Sequence, residues 1–167
     1  MGKSAIDILK EAILLERRGK AFYTMAARQT QSEAAKKIFT MMAEEEDDHI
    51  EYLSRQFAHY QKTHEFLENE EYVEDPEEEV TMKVLTDEIK SQITAASFEA
   101  AAISAAMDFE ERAVAIYSER AEQASDPHEK ELYEMLTEWE KGHHKWLHKI
   151  NEDLKEKIWY DNNFWPF

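Results

Sequence analysis

Residues 13–53, ILLERRGKAFYTMAARQTQSEAAKKIFTMMAEEEDDHIEYL, lie without a gap on residues 107–147, MDFEERAVAIYSERAEQASDPHEKELYEMLTEWEKGHHKWL, when the chain is slid against itself by 94 positions. Glu16 falls on Glu110, Arg18 on Arg112, Ala21 on Ala115, Tyr23 on Tyr117, Ala27 on Ala121, Gln29 on Gln123 and Lys36 on Lys130. The match continues with Met41 on Met135, Glu44 on Glu138, Glu46 on Glu140, His49 on His143 and Leu53 on Leu147, while Ile38/Leu132, Phe39/Tyr133 and Met42/Leu136 keep their character. Apolar residues recur at helical spacing on both sides of a polar break, so each copy is one helical hairpin.

Working outward from the repeat, Ser4 caps a first helix with Asp7 at its third position, and Ala5, Leu9, Ala12, Ile13, Tyr23 and Ala26 trace its inner face to about Gln29. Thr30 and Glu33 read as a capping box for a second helix, whose stripe passes through Ala35, Ile38, Phe39, Met42, Leu53 and Phe57 and fades near Leu67. Glu68 to Thr81, ENEEYVEDPEEEVT, reads as an acidic linker, followed by a short amphipathic piece from Met82 to Ile93. A third helix runs from about Ser97 to Gln123 through Ala100, Ile103, Met107, Val114 and Tyr117. Asp126, Pro127 and Glu129 start a fourth, reaching about Leu154. The expected fold class is therefore all-α. It is a four-helix bundle over residues 1–157 with helices near 5–29, 32–67, 97–123 and 127–154, a long crossover at 68–96 and an aromatic tail at 158–167.

Composition agrees with one helical domain: 167 residues, 43% apolar and 34% charged, with only 3 Gly and 3 Pro to make turns. A net charge of -17 repels a phosphate backbone, which argues against nucleic acid as a partner. No apolar run approaches the ~18 residues of a membrane span, and MGKSAIDILKEAILLERRGK breaks each apolar run with charge, so the expectation is no membrane and a cytoplasmic protein. The chain has no cysteine, so a metal site must use carboxylate and imidazole.

Helix geometry places such groups together. About a first turn near Gln31, Glu16 and Glu46 are equally distant, roughly 22 Å along their helices, and the same holds for Glu110 and Glu140 about Ser125. All four lie in apolar stripes. His49 and His143 follow Glu46 and Glu140 by one helical turn. Glu-x-x-His alone is weak evidence in a chain this rich in Glu; the weight comes from one ungapped repeat carrying both pairs and both lone Glu residues. Four ionised carboxylates in an apolar interior must be protonated, salt-bridged or metal-bound. Lys20 and Lys141 flank the level, whereas Arg17, Arg112 and Lys145 lie toward outer faces.

A lone Glu on two helices and Glu-x-x-His on the other two is the ligand pattern of ferritin-like dinuclear carboxylate proteins. Over residues 4–154 the chain resembles the rubrerythrin branch, through LERRGKAFY, FTMMAEEEDDH, FEERAVAIY and LTEWEKGHH. The resemblance implies Glu16 and Glu110 as terminal ligands, Glu46 and Glu140 as bridging ligands, and His49 and His143 as one imidazole for each of two iron ions. Tyr23 and Tyr117 resemble hydroxyls that hydrogen-bond ligand carboxylates; plain core tyrosines are the other reading. Two departures stand out. Rubrerythrins carry a further Glu three residues after the lone one on the third helix, tied to peroxide reduction, and Ala113 stands there. They also usually carry a four-cysteine rubredoxin domain that supplies electrons, so the reductant here is expected from outside the chain.

Neighbouring residues are set aside by register. Glu45 aligns with Trp139, Glu111 aligns with Arg17, and Glu44 points away from the seam, although Glu44 and Glu138 match across the repeat and stay open as residues behind the ligands. His59, His64, His128, His144 and His148 have no repeat partner and read as surface or helix-end residues. The tail IWYDNNFWPF is too aromatic for water and is expected to dock on the bundle or a second subunit, so a homodimer is expected. The leading expectation is a non-haem diiron oxidoreductase of peroxidase or ferroxidase type, acting on H2O2 or O2 in iron or oxidative-stress handling, with Mn or Zn as alternative metals. A metal-binding or sensing module without redox turnover is the second reading, and a structural bundle with protonated carboxylates the third.

Overall fold

A computed structural model describes residues 3–70, 75–94 and 97–161, with side chains to residue 157. Among the described residues there are five α-helices and no strand: α1 Ala5–Gln29, α2 Glu33–Thr63, α3 Pro76–Gln92, α4 Phe98–Gln123 and α5 Pro127–Asp161. None is long and apolar enough to cross a membrane.

Helix α1 starts where Ser4 accepts the Asp7 N–H at 3.2 Å. The start of α2 differs from the expected capping box. Ser32, not Thr30, accepts the Ala35 N–H at 3.1 Å, because Thr30 turns its hydroxyl to Glu99 of α4 at 2.5 Å. Helix α2 also ends before Leu67, at Thr63, where His64 adopts a left-handed conformation with φ 59°. Ser97 caps α4, and Asp126 accepts the His128 and Glu129 N–H groups at the start of α5. Helix α5 then runs seven residues past the expected Leu154, to Asp161. The tail's side chains, from residue 158, lie outside the described residues.

The largest correction concerns the crossover. Asp75 accepts the Glu77 N–H at 2.9 Å and Pro76 opens α3, so the second half of the acidic segment is helix rather than linker. Met82, Leu85 and Ile89 bury one face of α3 on α2 and α5, while Glu77 and Glu79 remain in water. The acid-rich first turn hides this in the sequence, although it favours a helix N-terminus electrostatically.

Contacts between element ends fix the topology. Glu99, at the start of α4, accepts from Thr30 and from the Gln31 N–H at 3.1 Å, and Gln92, at the end of α3, accepts from Ser32 at 2.6 Å and the Ala34 N–H at 2.9 Å. At the opposite end Asn69 donates to the His128 carbonyl at 2.8 Å. The two hairpin turns therefore lie at opposite ends, with α1 packed on α2, α4 on α5, and α3 laid over α2 and α5. The core divides into two clusters. Tyr23, Phe39, Met42, Ile103 and Leu147 join the buried face of α3 in one, and Leu9, Leu53, Tyr117, Tyr133 and Leu136 form the other.

Candidate metal centre

Between the two apolar clusters lies a polar layer. Glu16 from α1, Glu46 and His49 from α2, Glu110 from α4 and Glu140 and His143 from α5 are each 5% exposed or less. They fall into two overlapping groups, Glu16/Glu46/His49/Glu140 and Glu46/Glu110/Glu140/His143, in which one donor atom from each residue lies within 4.8 Å of the others. Glu46 and Glu140 belong to both groups, whereas Glu16 and Glu110 each belong to one. His49 Nδ1 lies 2.9 Å from Glu16 Oε2 and 3.2 Å from Glu140 Oε1. His143 Nδ1 lies 3.3 Å from Glu110 Oε1 and 3.5 Å from Glu46 Oε1.

Several of these atoms are left with nothing to bond. Both oxygens of Glu46, both of Glu140, Glu110 Oε2 and His143 Nδ1 are buried without a hydrogen-bond partner; the 3.2 Å approach of Glu140 to His49 lacks hydrogen-bond alignment. Cations do not reach them. Lys20 pairs with Asp47 at 2.6 Å and Lys141 with Glu138 at 2.7 Å on the outer surface, and among the described residues no Lys or Arg forms an ion pair with the six. Buried orphan oxygens beside imidazole nitrogen are the donor set of Fe, Mn or Zn, so the residues present fit a metal.

Tyrosines complete the layer from above and below. The Tyr23 hydroxyl donates to Glu110 Oε1 and the Tyr117 hydroxyl to Glu16 Oε1, each crossing from one hairpin to the other. Burial, then the facing carboxylates, pushes both hydroxyls well above their usual range, so they stay protonated donors.

The layer is electrostatically strained without metal. Burial, aided by Glu46, pushes Glu16 up to about 7, and burial with Glu16 and Glu46 pushes Glu140 well above the carboxylate range. Burial acts upward on Glu46 too, but the facing His143 and His49 rings, with Nδ1 atoms 3.5 and 3.6 Å away, outweigh it and hold Glu46 low. Burial alone would lower both histidines. Contacts from Glu140 and Glu16 instead raise His49, and those from Glu110 and Glu45 raise His143. Protons thus do part of the work that a cation would do.

Register reasoning missed two residues. Glu45, set aside because Trp139 occupies its repeat position, accepts from His143 Nε2 through Oε2, and Glu78 of α3 lines the same cavity beside it, its carboxyl pushed up to about 8 by Glu45 and by burial. Glu44 and Glu138, left open as residues behind the ligands, are exposed instead. Gly19 is the second. A methyl there would stand 2.9 Å from Glu46 Oε1 and 3.0 Å from Phe109 Cε1, so the bare backbone leaves room for the shared carboxylate. Its alignment with Ala113, both one turn beyond a lone Glu, was the available signal. Ala113 is 1% exposed and packs in the core, leaving no carboxylate at that position. Of the histidines set aside, His64 and His148 are exposed, and His144, partly buried, lies 3.2 Å from Glu111.

A solvent cavity of about 230 Å³ opens onto the layer from the α2/α5 side, beneath the first turns of α3. Among the described residues Glu45, Asp48, Asp75, Glu78, Glu79 and Glu138 line it with Lys145 opposing, and His49 and His143 form its inner wall.

A helical bundle with paired hairpins around a buried layer of Glu and His defines a ferritin-like protein able to hold metal. The rubrerythrin family's sequence profile matches residues 7–151, and the chain belongs to that family, whose members typically bind iron. No curated protein and no solved structure matches the chain.

Proposed function

We propose that the chain is a non-haem diiron oxidoreductase of peroxidase or ferroxidase type that uses H2O2 or O2 and serves iron or oxidative-stress handling. The observation that carries this reading is the pair of overlapping groups sharing Glu46 and Glu140, with their oxygens buried and unbonded. Two divalent ions would cancel the four carboxylate charges, with Glu16 and His49 on one, Glu110 and His143 on the other, and Glu46 and Glu140 shared. Bound as a ferrous pair, iron supplies two electrons to a small oxidant. The protein's share is positional. Tyr23 and Tyr117 hold Glu110 and Glu16 in place, two apolar clusters close the layer above and below, and the acidic cavity draws cations toward it. That cavity suits a peroxide, dioxygen or a metal ion better than a large organic substrate. Electrons to re-reduce the site come from an external donor. Leu14, Met25 and Ile116, 44 to 57% exposed on α1 and α4, support a homodimer, which sedimentation would test.

The test is anaerobic Fe(II) titration of the wild type beside the Glu46→Ala/Glu140→Ala double variant, followed by O2 or H2O2. About two irons per wild-type chain, an oxidant-dependent rise in near-ultraviolet absorbance, and loss of both in the variant are expected. A variant that binds iron as the wild type does would overturn the assignment. Ala113, in place of a fifth carboxylate, favours a second reading, a metal-binding or sensing module without redox turnover. Metal uptake without oxidant consumption would select it.

A further inference from the structure

The two halves of the layer are related by the repeat, yet the groups behind the two histidines differ in kind. Position 45 of the first copy aligns with position 139 of the second, and each of these residues faces the histidine of the opposite hairpin. Glu45 bonds His143 Nε2, whereas Trp139 stacks on the His49 ring with centroids 4.5 Å apart and planes 11° from parallel. A carboxylate at the remote nitrogen keeps the proton on Nε2, turns the Nδ1 lone pair inward and strengthens it as a donor. An indole offers no acceptor in its plane and cannot do this. The inward nitrogens differ correspondingly. His143 Nδ1 is buried without a hydrogen bond, its nearest carboxylate oxygens on Glu110 and Glu46 standing 3.3 and 3.5 Å away, while His49 Nδ1 holds a 2.9 Å hydrogen bond with Glu16 that a metal there must displace.

We propose that Glu45 is a positioning residue that makes the two metal positions unequal, so that the ion held by Glu110 and His143 binds first and more tightly than the ion held by Glu16 and His49. Glu45 is itself placed for this task. It sits in the cavity wall between α2 and α5, and Glu78 from the first turns of α3 lines the same wall.

This inference rests on the metal-binding reading, and its test separates the two. Anaerobic Co(II) titration, followed by visible absorbance and by the paramagnetically shifted ring N–H signals of ¹⁵N-histidine-labelled protein, resolves the order of filling. The wild type should take up two ions in two distinguishable steps, the first accompanied by one slowly exchanging ring N–H. Glu45→Ala should weaken the first step by about 10- to 100-fold, leave the second unchanged and abolish that signal. Glu45→Gln, which keeps an acceptor but not the charge, should fall between them. Thermal melting of each metal-free variant establishes that the fold is intact. Two ions bound with equal affinity by the wild type, or an equal loss in both steps in Glu45→Ala, would overturn the inference while leaving the metal site standing. No Co(II) bound by the wild type would overturn both.

Discussion

Gly19 shows how one missing side chain can serve a site. Glycine in mid-helix costs about 1 kcal/mol relative to alanine, and this one is retained one turn beyond Glu16, where a methyl would press on Glu46 at 2.9 Å. Gly19→Ala should therefore leave the metal-free melting temperature equal or higher while lowering metal affinity about tenfold or more, through displacement of the Glu46 carboxylate. Parallel melting and Co(II) titration would check this; unaltered affinity would mean that Glu46 moves aside freely. At the same scale, the two Tyr–Glu contacts show why a repeat creates a site. Tyr23 reaches Glu110 and Tyr117 reaches Glu16, so each hairpin orients the other's lone carboxylate.

Among the elements, α3 departs most from its sequence pattern. Its acidic beginning reads as linker, yet Leu85 and Ile89, 5% and 1% exposed, pack among Ala34, Ala35 and Ile38 of α2 and Ile150 of α5. Leu85→Ala should cost about 2–5 kcal/mol, lowering the melting temperature by roughly 5 to 20 °C. Val84→Ala next to it, at a side chain 51% exposed, should change little. Equal and small effects in calorimetry would show that α3 is only loosely attached. The helices of the repeat were legible because their apolar spacing runs unbroken. Helix α3 was only half legible because its first turns contribute charge to a cavity and its later turns contribute the buried face.

For the molecule as a whole, the central layer couples stability to pH and to metal. Glu16, at about 7, stays protonated in the fold over a range where an unfolded carboxyl, near 4.5, is ionised. Its contribution is thus complete below about pH 4.5 and lost as pH rises toward 7. His49 and His143, raised well above 6.5, act in the same direction at higher pH. Metal-free protein should melt at progressively lower temperature from pH 5 to 8, and the increment given by Fe(II) or Zn(II) should grow over that range as ligands lose protons. The net charge of -17 adds self-repulsion with the same sign, so Glu16→Gln is the control, and it should flatten part of the decline. A metal-free melting temperature that climbs with pH would contradict this account.

The sequence by itself determined the two hairpins and brought Glu16, Glu46, His49, Glu110, Glu140 and His143 to one level, because helical rise and an ungapped repeat convert spacing along the chain into height along a bundle. Only the tertiary structure decided which carboxylate stands behind His143, which glycine makes room for Glu46, and where α3 lies. Those features arise between helices distant in the chain. The periodicity that locates a residue on its own helix carries no information about which residue of another helix it will meet.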